Sequence, residues 1–233
     1  MSRRNNNRVN KRKYFSELMK FMPYCSSAVM ITGVFANDAE DLFLCRKFDN
    51  ETSILNFEHL KSNKWTEGIT GQNDFLEKWN SRMEQIFGSK SSRRTTKFMD
   101  IFDSELKNEA GTNNELVLID SCNKWDEKIA DWIGKEETLD AIVEDGVLGL
   151  NVLMARTKIE GDSSAFSHPV SIIRNDNYSN ENDEYEAIRN MYIIANAIEK
   201  KSNNHLRTIA MANYWDSKSS PMAYILFKKT SEI

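Results

Sequence analysis

Few residues in this sequence have the type and spacing needed to make or break a covalent bond. The three histidines, His59, His168 and His205, lie far apart, without the HxxxH or HxE spacing that brings imidazoles to one metal. Cys25, Cys45 and Cys122 form no CxxC pair and read as thiols of a reducing compartment. A phosphodiesterase-like pair of histidines would need a hydroxyl two residues after each, whereas Ser171 and Thr208 each follow at three. No GxSxG, HExxH, Walker loop or GxGxxG string occurs. The neighbouring acids Glu136 and Glu137, and Glu144 and Asp145, read as solvated charge. The prediction is a non-catalytic binding protein with no metal and no cofactor.

Charge and aromatic rings offer a different chemistry. Net charge is −4, which argues against indiscriminate coating of nucleic acid. Yet residues 1–13 carry Arg3, Arg4, Arg8, Lys11, Arg12 and Lys13 with no acid, and Lys90, Arg93, Arg94 and Lys97 form a second cluster. Either could hold phosphates, and either could be plain solvated surface.

The elements that would position such groups can be read from periodicity. Residues 1–22 are expected to be a disordered basic tail, with a short helix possible over Tyr14–Phe21 before Pro23, and 23–233 a single domain. Ala28–Phe35 and Leu42–Phe48 flank a turn-like stretch and read as a hairpin. Thr70–Phe87 repeats Phe75, Leu76, Trp79, Met83 and Ile86 at helical spacing. Strands follow at Glu115–Asp120, Val147–Ala155 and Pro169–Ile173, with helices at Trp125–Ile133 and about Asp183–Lys200. The stretches Leu206–Tyr214 and Met222–Lys228 close the chain as a hairpin. The short connections between strands favour antiparallel pairing. The fold class expected is therefore α+β: a single curved antiparallel sheet backed on its convex face by three helices, the other face left free. Composition agrees with a globular chain, 40% hydrophobic and 28% charged, and no apolar run approaches the ~20 residues of a membrane span.

Several strings together resemble the eukaryotic translation initiation factor 4E family of messenger-RNA cap-binding proteins, over roughly residues 23–230. Residues 102–120 (FDSELKNEAGTNNELVLID) resemble its WEDE-loop-WLITL segment, 146–158 (GVLGLNVLMARTK) its GAVVNVRAK strand, and 184–215 its last helix and following strand. ITGQNDFLEKW (69–79) resembles the start of its first helix. The resemblance implies a cytoplasmic monomer that binds the 7-methylguanosine cap and recruits partner factors in translation initiation, from a eukaryote or a virus that brings its own.

It implies a site as well. Two rings would stack on the methylated, cationic guanine, the second of them Phe102, with Asp103 or Glu105 accepting from its N–H groups. The first ring would be Phe57, with Phe43, Phe48 or Trp65 as alternatives. Arg156, Lys158 and Lys218 would hold the triphosphate. Leu76 and Trp79 would dock a scaffold initiation-factor peptide on the convex face. Both pocket tryptophans of the family are phenylalanine here. A general single-stranded RNA-binding module using the free sheet face is the alternative, and an interaction protein with no nucleic-acid role a third.

Overall fold

The chain alternates strand and helix for most of its length. In a computed structural model, which describes residues 3–59, 69–89, 91–154, 159–174, 181–217 and 220–231, the strands are β1 (Ser27–Met30), β2 (Ser53–Phe57), β3 (Arg94–Lys97), β4 (Asn114–Lys124), β5 (Ile142–Leu153), β6 (Ser171–Ile173), β7 (Leu206–Ser217) and β8 (Ser220–Lys229). The helices are α1 (Arg3–Leu18), α2 (Asn37–Leu44), α3 (Gln72–Phe87), α4 (Leu106–Ala110), α5 (Glu127–Ile133), α6 (Glu136–Asp140) and α7 (Glu181–Lys201). All eight strands join one sheet in the order β3-β2-β1-β4-β5-β8-β7-β6. The five strands β1 to β5 run parallel, β8 is antiparallel to both β5 and β7, and β6 is parallel to β7.

Parallel neighbours need a crossover, and α2 to α6 supply them. Because helices then lie on both faces, the strands bury both sets of side chains. Ala28 and Met30, Ile54, Leu116 and Leu118, Tyr224 and Leu226 face α1, α2 and α3, where Phe15, Leu18, Leu42, Trp79 and Phe87 pack. Val29, Phe57, Val117, Ile119, Leu148, Leu150, Ile225 and Phe227 face the other layer, where Trp132, Ile133, Met191, Ile194 and Ile198 pack. Gly149 makes room for its strand neighbours: a Cβ there would come within 2.5 Å of Leu118 Cδ2 on β4.

This corrects the expected fold class. The sheet is mostly parallel, and neither of its faces is free. The expected hairpin over 28–35 and 42–48 is instead β1, a loop and α2, and β1 takes β2 as its neighbour. Strands β2 and β3 were not anticipated. The α3 and α7 helices, β4 and β5, and the β7–β8 hairpin stand close to where periodicity put them. Among the described residues no helix is long and apolar enough to cross a membrane.

Candidate functional site

The strand order reverses direction between β1 and β4: from β1 the chain winds outward through β2 and β3, then restarts at β4 and winds the other way. A crevice opens outside the carboxyl ends of the strands at such a switch point, and ligands bind there in open α/β sheets. The period-2 alternation that buries Ala28 and Met30 on the α1–α3 face carries on past the strand ends, where it turns polar. Thr32 follows β1, Asn56 and Glu58 end β2, Asp120 lies on β4 beside Asn151 of β5, and Tyr214 lies on β7.

The loop after β1 is fixed from below. Asn56 Oδ1 accepts from the Thr32 N–H at 2.9 Å and its hydroxyl at 3.0 Å, and Trp79 Nε1 donates to the same hydroxyl at 3.1 Å. Gly33 then adopts φ +58°, with open space where a Cβ would stand. Ala36, at φ 46°, turns the chain into α2.

Beside this loop the half-buried Glu58 carboxyl is pushed up to about 7 by burial. Among the described residues its carboxylate has no hydrogen-bond partner. Asp100, three residues past β3, accepts the Phe102 N–H at 3.1 Å and faces His59 Nδ1 at 3.4 Å.

On the other side, a chain of polar groups crosses the gap. Tyr214 donates to Asn151 Oδ1 at 2.9 Å, Asn151 donates to Asp120 Oδ1 at 2.6 Å, and Lys11 Nζ donates to Asp120 Oδ2 at 2.6 Å and to Asp38 Oδ2 at 2.9 Å. Burial works against the Lys11 charge, but Asp120 and Asp38 outweigh it and hold its pKa above the usual lysine range. Lys11 is therefore a fixed cation and no proton acceptor at neutral pH. Burial raises the Tyr214 and Tyr224 hydroxyls, so both stay neutral donors. A recess of about 700 Å³ lies elsewhere, around Asn80, Glu84, Ser89 and Arg94 near the amino end of β3, and holds none of these groups.

Those of the residues proposed from sequence that are described do not converge. Phe57 is buried in β2, and Phe102 packs edge-on against Trp132 with centroids 5.4 Å apart; both belong to the layer beneath α4–α7. Asp103 and Glu105 are exposed. Phe48 is buried, and Phe43 packs edge-on against Phe87. Leu76 is half-buried and Trp79 fully buried, so the tryptophan offers nothing to a docking peptide. Arg156, Lys158, Lys218 and Trp65 lie outside the described residues. In the basic cluster, Arg93 pairs with Glu51, Lys97 with Glu109, and Arg94 donates to two backbone carbonyls beneath the Phe87 ring.

No family model matches the sequence, and no curated protein matches it either. Solved structures do. The N-methyltransferase NodS from Bradyrhizobium japonicum WM9 matches with a TM-score of 0.51 at 8% identity, over 95% of this chain and 97% of its own. The fold is the Rossmann-like methyltransferase fold. TomG, an O-methyltransferase from Streptomyces achromogenes solved with SAM, matches with a TM-score of 0.50 at 10% identity, over 95% of this chain and 80% of its own. Cofactor-bound Rv0187 from MTB matches with a TM-score of 0.50 at 12% identity and the same coverage.

These matches overturn the cap-binding reading. The architecture that carried the resemblance to initiation factor 4E is absent, and with it go the cap and the initiation-factor peptide as partners and the expectation of a non-catalytic protein. The single-stranded RNA module needed a free sheet face, and among the described residues both faces are covered. The acids of the crevice were missed, although a signal existed: Glu58, Asp100 and Asp120 each follow a short strand-like run, in ILNFE, TTKFMD and LVLID.

Proposed function

We propose that this chain binds S-adenosylmethionine in the β1/β4 crevice and transfers its methyl group to an acceptor. The observation that carries the reading is the switch point itself, with Gly33 open on the β1 loop and Glu58, at the end of β2, without a hydrogen-bond partner among the described residues. A carboxylate just past the second strand, beside a glycine turn after the first, is suited to the hydroxyls of a ribose. Asp100 at the end of the third strand stands on the same rim. These residues fit the adenosine half of the cofactor. The loop departs from a full glycine fingerprint: Phe35 and Asp38 stand where G-x-G-x-x-G would place its second and third glycines after Gly33. The remaining acids, Asp38 and Asp120, suit the cationic half.

Bound there, the cofactor supplies a methyl group on a positively charged sulfur. The chain's own part is to bind and orient. Asn56 and Trp79 hold the β1 loop through Thr32, and Glu58 accepts hydrogen bonds once ionised. NodS is an N-methyltransferase and TomG an O-methyltransferase, so the fold serves both kinds of nucleophile and names no acceptor for this chain. A cytoplasmic setting goes with this reading and is supported by the free thiols of Cys25 and Cys45.

Calorimetric titration with S-adenosylmethionine tests the proposal. Saturable binding is expected, competed by adenosine, and Glu58→Ala weakens it by about tenfold or more, the worth of a charge-assisted hydrogen bond. No heat of binding at about 1 mM ligand, a free energy near −4 kcal/mol, would end it.

A further inference from the structure

The ammonium of Lys11 reaches the crevice from α1, an element outside the alternating βα units. Two kinds of contact hold α1 down. Its carboxyl half is anchored by apolar packing: Tyr14 stacks on Tyr214 at 6.1 Å between centroids, Phe15 packs on Tyr224 at 5.5 Å, and Leu18 is fully buried. One turn earlier the contacts are ionic. Arg12 Nε donates to both Asp41 oxygens, at 2.7 and 2.9 Å, and its Nη2 meets Glu40 at 3.3 Å. Lys11 bridges Asp38 of α2 and Asp120 of β4, the two elements on either side of the switch point.

The Asp38–Asp120 pair thus already has a cation. A ligand bringing its own positive charge to this pair would meet the ammonium at close range, where two like charges in a partly buried site repel by several kcal/mol at an effective dielectric of ~20. Lys11 now spans both carboxylates, so a second cation at the pair has to take at least one of them from it. We propose that α1 is a lid latched by Lys11, and that the sulfonium of the cofactor and the Lys11 ammonium are alternative partners of the Asp38–Asp120 pair. Loading the cofactor then releases the charged half of α1, while Tyr14, Phe15 and Leu18 keep the helix tethered. This rests on the cofactor reading above.

Hydrogen exchange over residues 3–18, together with calorimetry, tests the latch in the full chain, in Lys11→Met, and in Asp38→Asn as a milder variant. The ligands are S-adenosylmethionine and S-adenosylhomocysteine, which keeps the α-ammonium but lacks the sulfonium charge. The latch predicts that S-adenosylmethionine speeds exchange in α1 of the unaltered protein more than S-adenosylhomocysteine does. It also predicts that Lys11→Met raises the preference for the charged ligand by about tenfold. Binding confined to the variants supports it equally. Binding of both ligands with α1 exchange unmoved and the preference unchanged in both variants overturns the latch and leaves the cofactor reading standing. Binding of neither ligand to any of the three proteins removes both.

Discussion

Beneath α4–α7 the sheet presents Val29, Phe57, Val117, Ile119, Leu148, Leu150 and Phe227, an apolar layer closed by Trp132 and the stripe of α7. Beneath α1–α3 the same strands begin just as apolar but end in Asn56, Glu58, Asp120, Asn151 and Tyr214, joined by Lys11 and Asp38. One face is closed by apolar packing. The other gives up apolar burial at its carboxyl end and replaces it with paired charges, which are costly to desolvate and add little net stability. These groups, gathered at one corner of one face, are the basis of the binding site proposed above.

If the faces divide in this way, substitutions should separate too. The largest effect belongs to the apolar face. Trp132 is 2% exposed and donates from Nε1 to Ser104 O at 3.0 Å, so Trp132→Ala should cost about 3–5 kcal/mol in urea unfolding. Affinity for S-adenosylmethionine per folded molecule should not change, and a parallel loss of affinity would break the comparison.

Next comes pH. Glu58 is held near 7 in the fold against 4.5 in the unfolded chain, so between these values the folded state binds the extra proton. Stability should therefore fall as pH rises from about 4.5 to about 7, by at most about 3 kcal/mol, and then level off. Cofactor affinity should move the opposite way, rising as Glu58 ionises near 7. Glu58→Gln should flatten both curves, and affinity that still tracks pH in that variant would remove Glu58 from the site.

Asn56→Ala should have the smallest effect on stability. It leaves the Thr32 N–H without its acceptor, at a cost of about 1–3 kcal/mol, and loosens the β1 loop, so affinity should drop with it.

Much of the fold was legible where periodicity is long. The stripe of α3 over Phe75, Trp79, Met83 and Ile86, that of α7, and the β7–β8 hairpin all stood out because each spans several repeats. The short pieces misled. The α2 sequence NDAEDLFL begins like a turn and ends like a strand, and it is entered through Ala36 in the left-handed region rather than through a glycine. β3 is four residues, RTTK, and read as a basic cluster. The continuous apolar run in β5 was itself a sign of a strand buried on both faces, as parallel strands are, and conflicted with the free face assigned to the sheet. The crevice stayed hidden because only one glycine of the fingerprint is present, so the acids after β2, β3 and β4 had no motif to anchor them.

The position of β8 bears on how the molecule assembles. It is the latest strand in chain order, yet it lies inside the sheet, between β5 and β7. Until residues 220–229 are available, β5 offers an unpaired row of backbone donors and acceptors along one of the most apolar strands of the molecule. Five parallel strands can form a partial sheet before that point, but its open edge is a template for pairing with another chain. Pairing of β5 with β8 is thus one of the long-range steps of folding, and conditions that delay the β7–β8 hairpin should favour aggregation.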